Sequence, residues 1–391
     1  MHTSSELTRD IYQEVRPAAA FQPLRGARTD SGRAPVPRHL AERGRPASAS
    51  DALDASRPHP FQPAPAPAFP SEGTAFSGRA HGKVILLGEH AVVYGAPAVA
   101  LALPSATCRA AARPGRQSGH GLVSFHLHTA DRPGSPTEIE APEALHTLVE
   151  AALERAGAGQ VRGVELLVDS GIPPGRGLGS SAACARAVTG ALDQLLDLRL
   201  AAAEVFELVQ RAENVSHGRA SGIDAHATGN PGLTVLHEGR THAPPVGRQG
   251  WVVVADSGTS SSTRQAVEML RTAFLLNPAR RRDFLTRSTS LTSDGLDALA
   301  TGQLKRLGRR LTETHTLLME LGLVTGPVHM LVDAALAAGA LGAKMTGGGL
   351  GGCALALAGS PAQAERLATR LEGHGATRTW IAPLLEEGSP R

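Results

Sequence analysis

The 391-residue sequence predicts a mixed fold of β-strands and α-helices that begins after a long unpacked N-terminal segment. Short runs rich in Val, Leu and Ala, bounded by Gly and Pro, are typical of strands. Between them lie longer segments whose apolar residues recur at intervals of three and four, which is typical of amphipathic helices. The apolar content of 41% supplies a sizeable core, and aromatic residues contribute only 3%. We therefore expect a core built from Ala, Leu and Val.

The first 75 residues differ in composition from the rest of the chain. Eleven of the 27 prolines precede Ser71, interleaved with Ala, Ser and Arg. Each Pro removes a backbone donor, and too little apolar surface is present to offset the entropy that ordering would cost. We predict a disordered tail or linker over residues 1–75. One short helix in SELTRDIYQEV, and a partner-binding role for the tail, stay as alternatives.

Charge and cysteine usage exclude several classes of protein. The net charge is only +3 and no basic stripe with interleaved aromatics occurs, so nucleic acid is disfavoured as a partner. The three cysteines are far apart, which argues against a disulfide framework or a zinc site and suits a reducing compartment. No apolar run approaches the roughly 18–20 residues of a membrane helix. No signal-like stretch is seen, so we expect a cytoplasmic protein without a membrane partner.

The elements after Gly78 follow one another with clear boundaries. The patterns predict strands in PAVALALP, GLVSFHLHTA, VRGVELLVDS, GWVVVADSG and CALALA, and in GKVILLGEHAVV a strand, a turn and the start of a further segment. They predict helices in APEALHTLVEAALERAGAG, GSSAACARAVTGALDQLLDL, AAAEVFELVQRAENVSHG, GQLKRLGRRLTETHTLLMEL and VHMLVDAALAAG. The turn-rich THAPPVGRQG places a domain boundary near residue 245, which divides the folded part into residues 76–245 and 246–391.

Two glycine-rich stretches are candidates for holding phosphate. In IPPGRGLGSSAACARA a strand turns through Gly175, Gly177 and Gly179 into a helix whose first residues are serines. Free N–H groups at such a helix start attract anions, although Ser180 as an ordinary N-cap is an equally good interpretation. In KMTGGGLGGCALAL the glycines match GxGxxG, but the loop leads into a strand and not into a helix. A purely structural turn is the safer interpretation of that loop alone.

Two further stretches carry charged residues that are candidates for function. GKVILLGEHAVVYG carries Lys83, Glu89 and His90 among strand-like apolar residues. Charged groups are rarely buried unless they are paired or functional. In RAENVSHGRASGID, Glu213 ends a helix and Asp224 follows in a Gly- and Ser-rich loop. Two such carboxylates suit a division between Mg²⁺ binding and proton acceptance, although helix-end and capping roles are the favoured interpretation when the segment is taken alone.

Taken together and in this order, GKVILLGEHAVVYG, PPGRGLGSSAA and KMTGGGLGGC resemble the three motifs of the GHMP small-molecule kinases. Within that family, GEHAVVYG and the segment EN-x-x-HG-x-x-SGID are most similar to the mevalonate kinase branch. The resemblance spans about residues 78–358. The sequence departs from the animal pattern at Tyr94 and Ala225, and its third motif reads GGGLGG, which puts pocket details in doubt.

The resemblance implies roles for particular residues. Asp224 would be the catalytic base, with Lys83 beside it and Thr263 near the reacting groups. Glu213 and Ser181, rather than Ser180, would hold Mg²⁺, and Glu89 and His90 would line the acceptor side with Asp224. The residues implied in ATP binding form the second and third motifs: Pro174, Gly175, Arg176, Gly177, Leu178, Gly179, Ser180, Ser181, Gly347, Gly348 and Gly349. For Thr263 a structural alternative stays open, because Ser262 and Gln265 form a plausible capping box, and for His217 a structural role is favoured.

The resemblance also implies the fold and the reaction. The fold would be α+β, with an N-terminal part similar to the second domain of ribosomal protein S5 and a C-terminal ferredoxin-like part. The expected reaction transfers the γ-phosphoryl of ATP, with Mg²⁺, to the 5-hydroxyl of mevalonate. Phosphomevalonate kinase or another GHMP kinase is the alternative, and a catalytically dead binding protein is a weaker one because Lys83, Glu213 and Asp224 are all present. A homodimer is compatible with the family, but the residues do not test it.

Overall fold

The computed structural model describes residues 76–115, 123–129, 132–157, 163–218 and 220–385, and the predicted tail lies outside them. The strands are β1 (Phe76–Leu87), β2 (Ala98–Pro114), β3 (Val123–Thr129), β4 (Arg132–Ile139), β5 (Val164–Ser170), β6 (Leu233–His237), β7 (Arg240–His242), β8 (Trp251–Asp256), β9 (Gly342–Thr346), β10 (Cys353–Ala358) and β11 (Arg378–Pro383). The helices are α1 (Glu143–Ala156), α2 (Ser180–Leu196), α3 (Ala202–His217), α4 (Ile223–Ala227), α5 (Thr263–Leu276), α6 (Pro278–Ala300), α7 (Leu304–Glu320), α8 (Gly326–Ala337) and α9 (Pro361–Glu372), with a 3₁₀ turn over Ala91–Tyr94. The α+β class is confirmed.

The first sheet has β2 at its centre. Its strand order is β4-β3-β5-β2-β6-β7, and β1 pairs with β2 along most of its length. Among the described strands of this sheet, only β3 and β5 run parallel. β2 pairs with three strands because it is 17 residues long and bends. The bend is seen as a shift in its pairing with β1, where Gly82 pairs with Leu103 but His81 pairs with Thr107. The bend follows Pro104, which has no N–H to donate to a ladder.

Helices α1, α2 and α3 cover one face of this sheet, with α2 lying directly on β1 and β2. The buried face of α2 is rich in Ala, which lets the helix approach the strands closely. A Cβ at Gly78 on β1 would overlap the backbone of Ala187 on α2. Only glycine fits at this position, and the close approach fixes where the start of α2 lies relative to β1.

The second sheet is antiparallel, in the order β11-β8-β10-β9. One of its faces, with Val254 and Leu355, joins the hydrophobic core that lies beneath the first sheet. The opposite face, with Val253 and Met345, packs with residues of α7, α8 and α9 in a second core. Strand β9 therefore has one face directed towards β1 and the other towards α7 and α8, and this places Lys344 between the two sheets.

The structure differs from the predicted elements at several places. The strand predicted to end at Pro104 continues to Pro114, because it bends there without ending. Asp224 lies in the short helix α4 and not in a loop. The third glycine motif connects the antiparallel strands β9 and β10, and β9 itself was not predicted. In the described part of the chain, no helix is long and apolar enough to span a membrane. The boundary near residue 245 stays a prediction.

Candidate active site

A cavity of about 390 Å³ opens where the end of β1, the start of α2, helix α4 and the start of α5 meet. All four stretches singled out in the sequence contribute to its wall. The predicted site residues that line it are Lys83, Glu89, His90, Gly175, Gly177, Gly179, Ser180, Ser181, Glu213, Asp224, Thr263, Gly347 and Gly348. Segments more than 260 residues apart in sequence are thus brought around one volume.

Lys83 and Asp224 form an ion pair in the cavity wall, with 3.0 Å between Nζ and Oδ2. The Lys83 side chain is only 3% exposed, whereas that of Asp224 is 29% exposed and accessible from the cavity. Lys83 Nζ also donates to the carbonyl of Gly177, and the Lys83 amide donates to the carbonyl of Leu178. The ammonium is therefore held between the glycine-rich loop and the carboxylate.

The start of α2 faces the cavity without a side-chain cap. Gly179 is the N-cap residue, in the left-handed region at φ 72°, and no side chain bonds the first amides of the helix. A Cβ at Gly179 would lie 3.0 Å from Lys83 Cε, so glycine here also makes room for the lysine. Ser180 is the first residue of the helix and not its cap. Uncapped amides and the positive end of the helix dipole suit an anion.

Glu213, Ser181 and His217 form a polar cluster beside the Lys83–Asp224 pair. Glu213 is buried, and its burial, followed by the charge of Asp224, raises its pKa to about 7, while a hydrogen bond from Ser181 acts in the opposite direction. His217 Nε2 lies 3.2 Å from Ser181 Oγ, and burial lowers its pKa, so the ring is neutral. In the described part of the chain, no three His, Cys, Asp or Glu side chains form a ready-made metal cage.

This cluster fits Mg²⁺ as the resemblance implies. Glu213 and Ser181 offer oxygen ligands, which Mg²⁺ prefers, and Mg²⁺ commonly takes its remaining ligands from waters and substrate phosphates. A cation bound beside Glu213 would oppose the burial that raises its pKa and would favour the charged carboxylate. The two residues could therefore hold the metal beside the start of α2.

Glu89 and His90 are buried and also line the cavity. Glu89 forms an ion pair with Lys344, and burial, the largest effect, raises the pKa of Glu89 although Lys344 opposes it. His90 adopts φ 60°, in the left-handed region that residues other than glycine rarely occupy. Burial lowers the pKa of His90 to about 4, so its ring is neutral. In the described residues, neither Glu89 Oε2 nor His90 Nε2 has a hydrogen-bond partner.

Thr263 begins α5 and lines the cavity next to Gly348. The capping alternative for its neighbour is also observed, because the Ser262 side chain accepts a hydrogen bond from the Gln265 amide. The two interpretations are compatible, since the cap positions Thr263 at the cavity. Arg264, the next residue, lines the cavity as well and donates to the carbonyls of Val215 and Ser216 at the end of α3.

Four residues implied in nucleotide binding do not line the cavity: Pro174, Arg176, Leu178 and Gly349. The Arg176 guanidinium is instead paired with Asp256, at 2.9 Å from Oδ1, and donates to Ser260 Oγ. Leu178 is buried in the core. Their roles in nucleotide binding stay predictions.

Sequence reasoning did not assign Lys344 or Arg264, and it favoured a structural role for His217. Lys344 had a usable signal, because it is a lysine directly before the third glycine-rich motif. Arg264 follows directly after Thr263 and could have been found as the next residue on the same helix start. For His217 the signal was its position four residues after Glu213, which places both side chains on one face of α3.

Comparison with known proteins places these features in a family. Residues 144–230 match the family model of the GHMP kinases N terminal domain, and residues 296–377 match that of the GHMP kinases C terminal domain. The mevalonate kinase of Pyrococcus abyssi is 34% identical over 327 residues, which cover 78% of this chain and 94% of that protein. The mevalonate kinase of Thermococcus sibiricus is 35% identical over 308 residues, covering 74% and 90%.

A solved structure agrees with the sequence comparisons. The crystal structure of L. major mevalonate kinase in complex with R-mevalonate superimposes with a TM-score of 0.67 at 25% identity. The match covers 81% of this chain and 98% of that one.

Proposed function

Because this chain belongs to the GHMP kinase family, in the mevalonate kinase branch, we propose that it transfers the γ-phosphoryl group of ATP to the 5-hydroxyl of mevalonate. The observation that carries the proposal is the Lys83–Asp224 pair, whose carboxylate is open to the cavity beside the uncapped start of α2. An acceptor hydroxyl at Asp224 and a phosphate at the helix start would be neighbours there. The product would be 5-phosphomevalonate with ADP.

In this mechanism Asp224 accepts the proton of the 5-hydroxyl as its oxygen forms a bond to the γ-phosphorus. The bond from that phosphorus to the β,γ-bridging oxygen breaks, and ADP leaves with the bonding electron pair. Lys83, fixed by the Gly177 carbonyl, stabilises the negative charge of Asp224 and of the transferring phosphoryl group. The amides at the start of α2 bind the phosphate oxygens of the donor. The rate acceleration then comes mainly from positioning and charge stabilisation.

Glu213 and Ser181 would hold Mg²⁺ in this scheme. The metal supplies charge neutralisation at the donor phosphates when it is bound. Glu213 is placed for this role by α3 and Ser181 by α2, and the hydrogen bond between them orients both oxygens. Thr263 and His90 complete the wall around the acceptor.

The acceptor's carboxylate also needs a cation, and Arg264 is the best candidate. Among the described residues that line the cavity, the Lys and Arg side chains are those of Lys83 and Arg264. Lys83 is paired with Asp224, whereas the bonds of Arg264 in this part of the chain go to backbone carbonyls and leave N–H groups for a ligand. A guanidinium can bind a carboxylate through two parallel hydrogen bonds. We therefore assign the acceptor carboxylate to Arg264.

The test is an ADP-release assay with the full chain, Mg²⁺ and ATP, using R-mevalonate, phosphomevalonate, homoserine and galactose as acceptors. We expect turnover with mevalonate alone, and mass spectrometry should identify a singly phosphorylated product. A preference for phosphomevalonate would contradict the proposal, as would turnover with none of the four.

A further inference from the structure

Lys344 is the most deeply buried charge in the described part of the chain, and its three N–H groups have acceptors. Its side chain is 0% exposed, and its ammonium bonds Glu89 Oε1. It also donates to the carbonyl of Met345 at 2.6 Å and to that of Ile85 at 3.4 Å. A fully buried ion pair is expensive to desolvate and contributes little stability compared with an apolar pair. Its presence therefore calls for a reason other than stability.

Thr346 makes a second connection between the same two strands. Its hydroxyl donates to the carbonyl of Ile85 at 2.9 Å and accepts from the amide of Ile85 at 3.0 Å. Lys344 and Thr346 belong to β9 in the second sheet, whereas Ile85 belongs to β1 in the first. We call Lys344 and Thr346 the β9 clamp. It fixes the end of β1 to a strand of the other sheet.

Both strands run from the clamp directly into the cavity wall. After β1 the chain turns through Glu89 and His90, and after β9 it enters Gly347 and Gly348. The backbone of Gly348 hydrogen-bonds His90, which is held in the left-handed region. A non-glycine residue keeps that conformation only when its surroundings determine it. The clamp holds β1 and β9, the two strands that lead into this contact.

We propose that the β9 clamp positions the Glu89–His90 turn for the acceptor, with Lys344 as its principal residue. This rests on the proposed function, in which that turn lines the acceptor side. Lys344 does not touch the acceptor in this scheme. It holds one oxygen of Glu89, so that the other oxygen and the His90 ring keep a fixed place in the cavity wall.

The first experiment compares Lys344→Met with Met345→Ala in the full chain. Met345 is the adjacent residue on β9, but its side chain lies in the core on the opposite face, so its truncation weakens the same strand without touching the pair. For each variant, steady-state kinetics give the KM for mevalonate and kcat, calorimetry gives the affinity for MgADP, and urea unfolding gives stability. We expect Lys344→Met to raise the mevalonate KM about 10-fold or more, with MgADP affinity within twofold of wild type. Met345→Ala should lose stability yet keep both constants within twofold.

The pH profile separates positioning from a general loss of structure. Lys344 opposes the burial that raises the pKa of Glu89, so removing its charge moves that pKa further upward. The charge of Lys83 also acts on this carboxyl, while the charge of Lys344 acts on His90 and His315 as well. In Lys344→Met the mevalonate KM should depend on pH in the range where Glu89 now titrates, because the charge of the turn on the acceptor side changes there. The double variant Glu89→Gln/Lys344→Met should lose that dependence.

Two results for Lys344→Met would overturn the proposal. A wild-type mevalonate KM in Lys344→Met, or a KM that rises together with the MgADP dissociation constant, overturns the proposal. If Lys344→Met does not fold, Thr346→Val tests the same clamp while keeping the ion pair, with a rise of about threefold in KM supporting it and an unchanged KM overturning it. If wild type does not phosphorylate mevalonate, the proposed function fails, and the clamp is tested with the acceptor that the screen identifies.

Discussion

The side chain of Asp224 lies between a cation and a second carboxylate. Lys83 approaches it to 3.0 Å. Burial, followed by the charge of the nearby Asp224, raises the Glu213 pKa to about 7. Of the two acids, Glu213 is the buried one and Asp224 is the one open to the cavity. This asymmetry supports the proposal that Asp224 accepts the proton and Glu213 binds the metal.

The variant Asp224→Asn should lower kcat by roughly 10²–10⁴-fold, the range that a positioned base contributes. An amide keeps the shape and can still bond Lys83 through its oxygen, so MgATP affinity should change little. Steady-state kinetics measure kcat, and calorimetry with a non-hydrolysable ATP analogue measures the nucleotide affinity. Asp169→Asn is the matched control. Asp169, on β5, is a carboxylate that pairs with Arg109 and does not line the cavity. Retention of most activity in Asp224→Asn would show that the assignment is wrong.

Replacement of Arg264 tests where the acceptor's carboxylate binds. Arg264→Met should raise the mevalonate KM about 10- to 100-fold, since a hydrogen bond to a charged group is worth about 1.5–3 kcal/mol, and should leave the ATP KM within twofold. Arg264→Lys should recover part of the loss. Arg271→Met on the same helix is the control, because Arg271 is exposed and pairs with Glu268. If the ATP KM rises instead, Arg264 binds phosphate and not the acceptor.

At the scale of elements, the docking of α2 on β1 decides where the phosphate-binding helix start lies. Gly78 allows this contact, and a methyl group there would overlap the Ala187 backbone. We expect Gly78→Ala to lower the free energy of unfolding by about 1–3 kcal/mol, as overpacking does, and to weaken MgADP binding because the start of α2 moves. Gly326→Ala is the control, since no atom lies within 4 Å of the added methyl. Equal stability of the two variants in urea unfolding would contradict this account of α2.

Elements with strong local signals could be predicted from the sequence, and those fixed by distant partners could not. The start of α2 at Ser180 and the end of α3 before Gly218 follow from glycine and from helical spacing. The continuation of β2 past Pro104 depends on pairing with β1 and β5, which the local sequence does not encode. β9 is only five residues long and contains a lysine, so its pattern did not indicate a strand.

At the scale of the whole molecule, the same distinction holds for the site. The motifs could be found because each has a recognisable composition, and their convergence could be expected from the family resemblance. The partner of Glu89 could not be found, because Lys344 lies 255 residues away in sequence. The sequence explains why a charge is present at Glu89, but only the packing of β9 against β1 shows that a second charge neutralises it.

Two neighbouring histidines, His315 and His329, make the stability of the fold depend on pH. His315 Nδ1 accepts the amide of Met345 on β9, and its Nε2 lies 3.2 Å from His329 Nδ1. Burial, followed by the charges of Lys344 and His329, lowers the pKa of His315 to about 4, while Asp333 acts in the opposite direction. The neutral ring therefore fits this place, and a protonated ring would lose the amide bond and face a buried ammonium.

This predicts a loss of stability in a defined pH window. Because the pKa of His315 is lower in the folded chain than the ordinary 6.5, the unfolded chain binds more protons between pH 6.5 and 4. The contribution is complete above about pH 6.5 and declines as the pH falls to 4, by at most about 3.5 kcal/mol at roughly 1.4 kcal/mol per pKa unit. His315→Asn keeps an acceptor for the Met345 amide but does not titrate. Urea titrations at pH 7, 6, 5 and 4.5 give the unfolding free energies of wild type and of this variant. Their difference removes the contributions of the other titrating groups. One of these is Glu213, whose raised pKa changes stability with pH in the opposite direction. Wild type should lose stability relative to the variant as the pH falls, and parallel curves would show that His315 is not the group responsible.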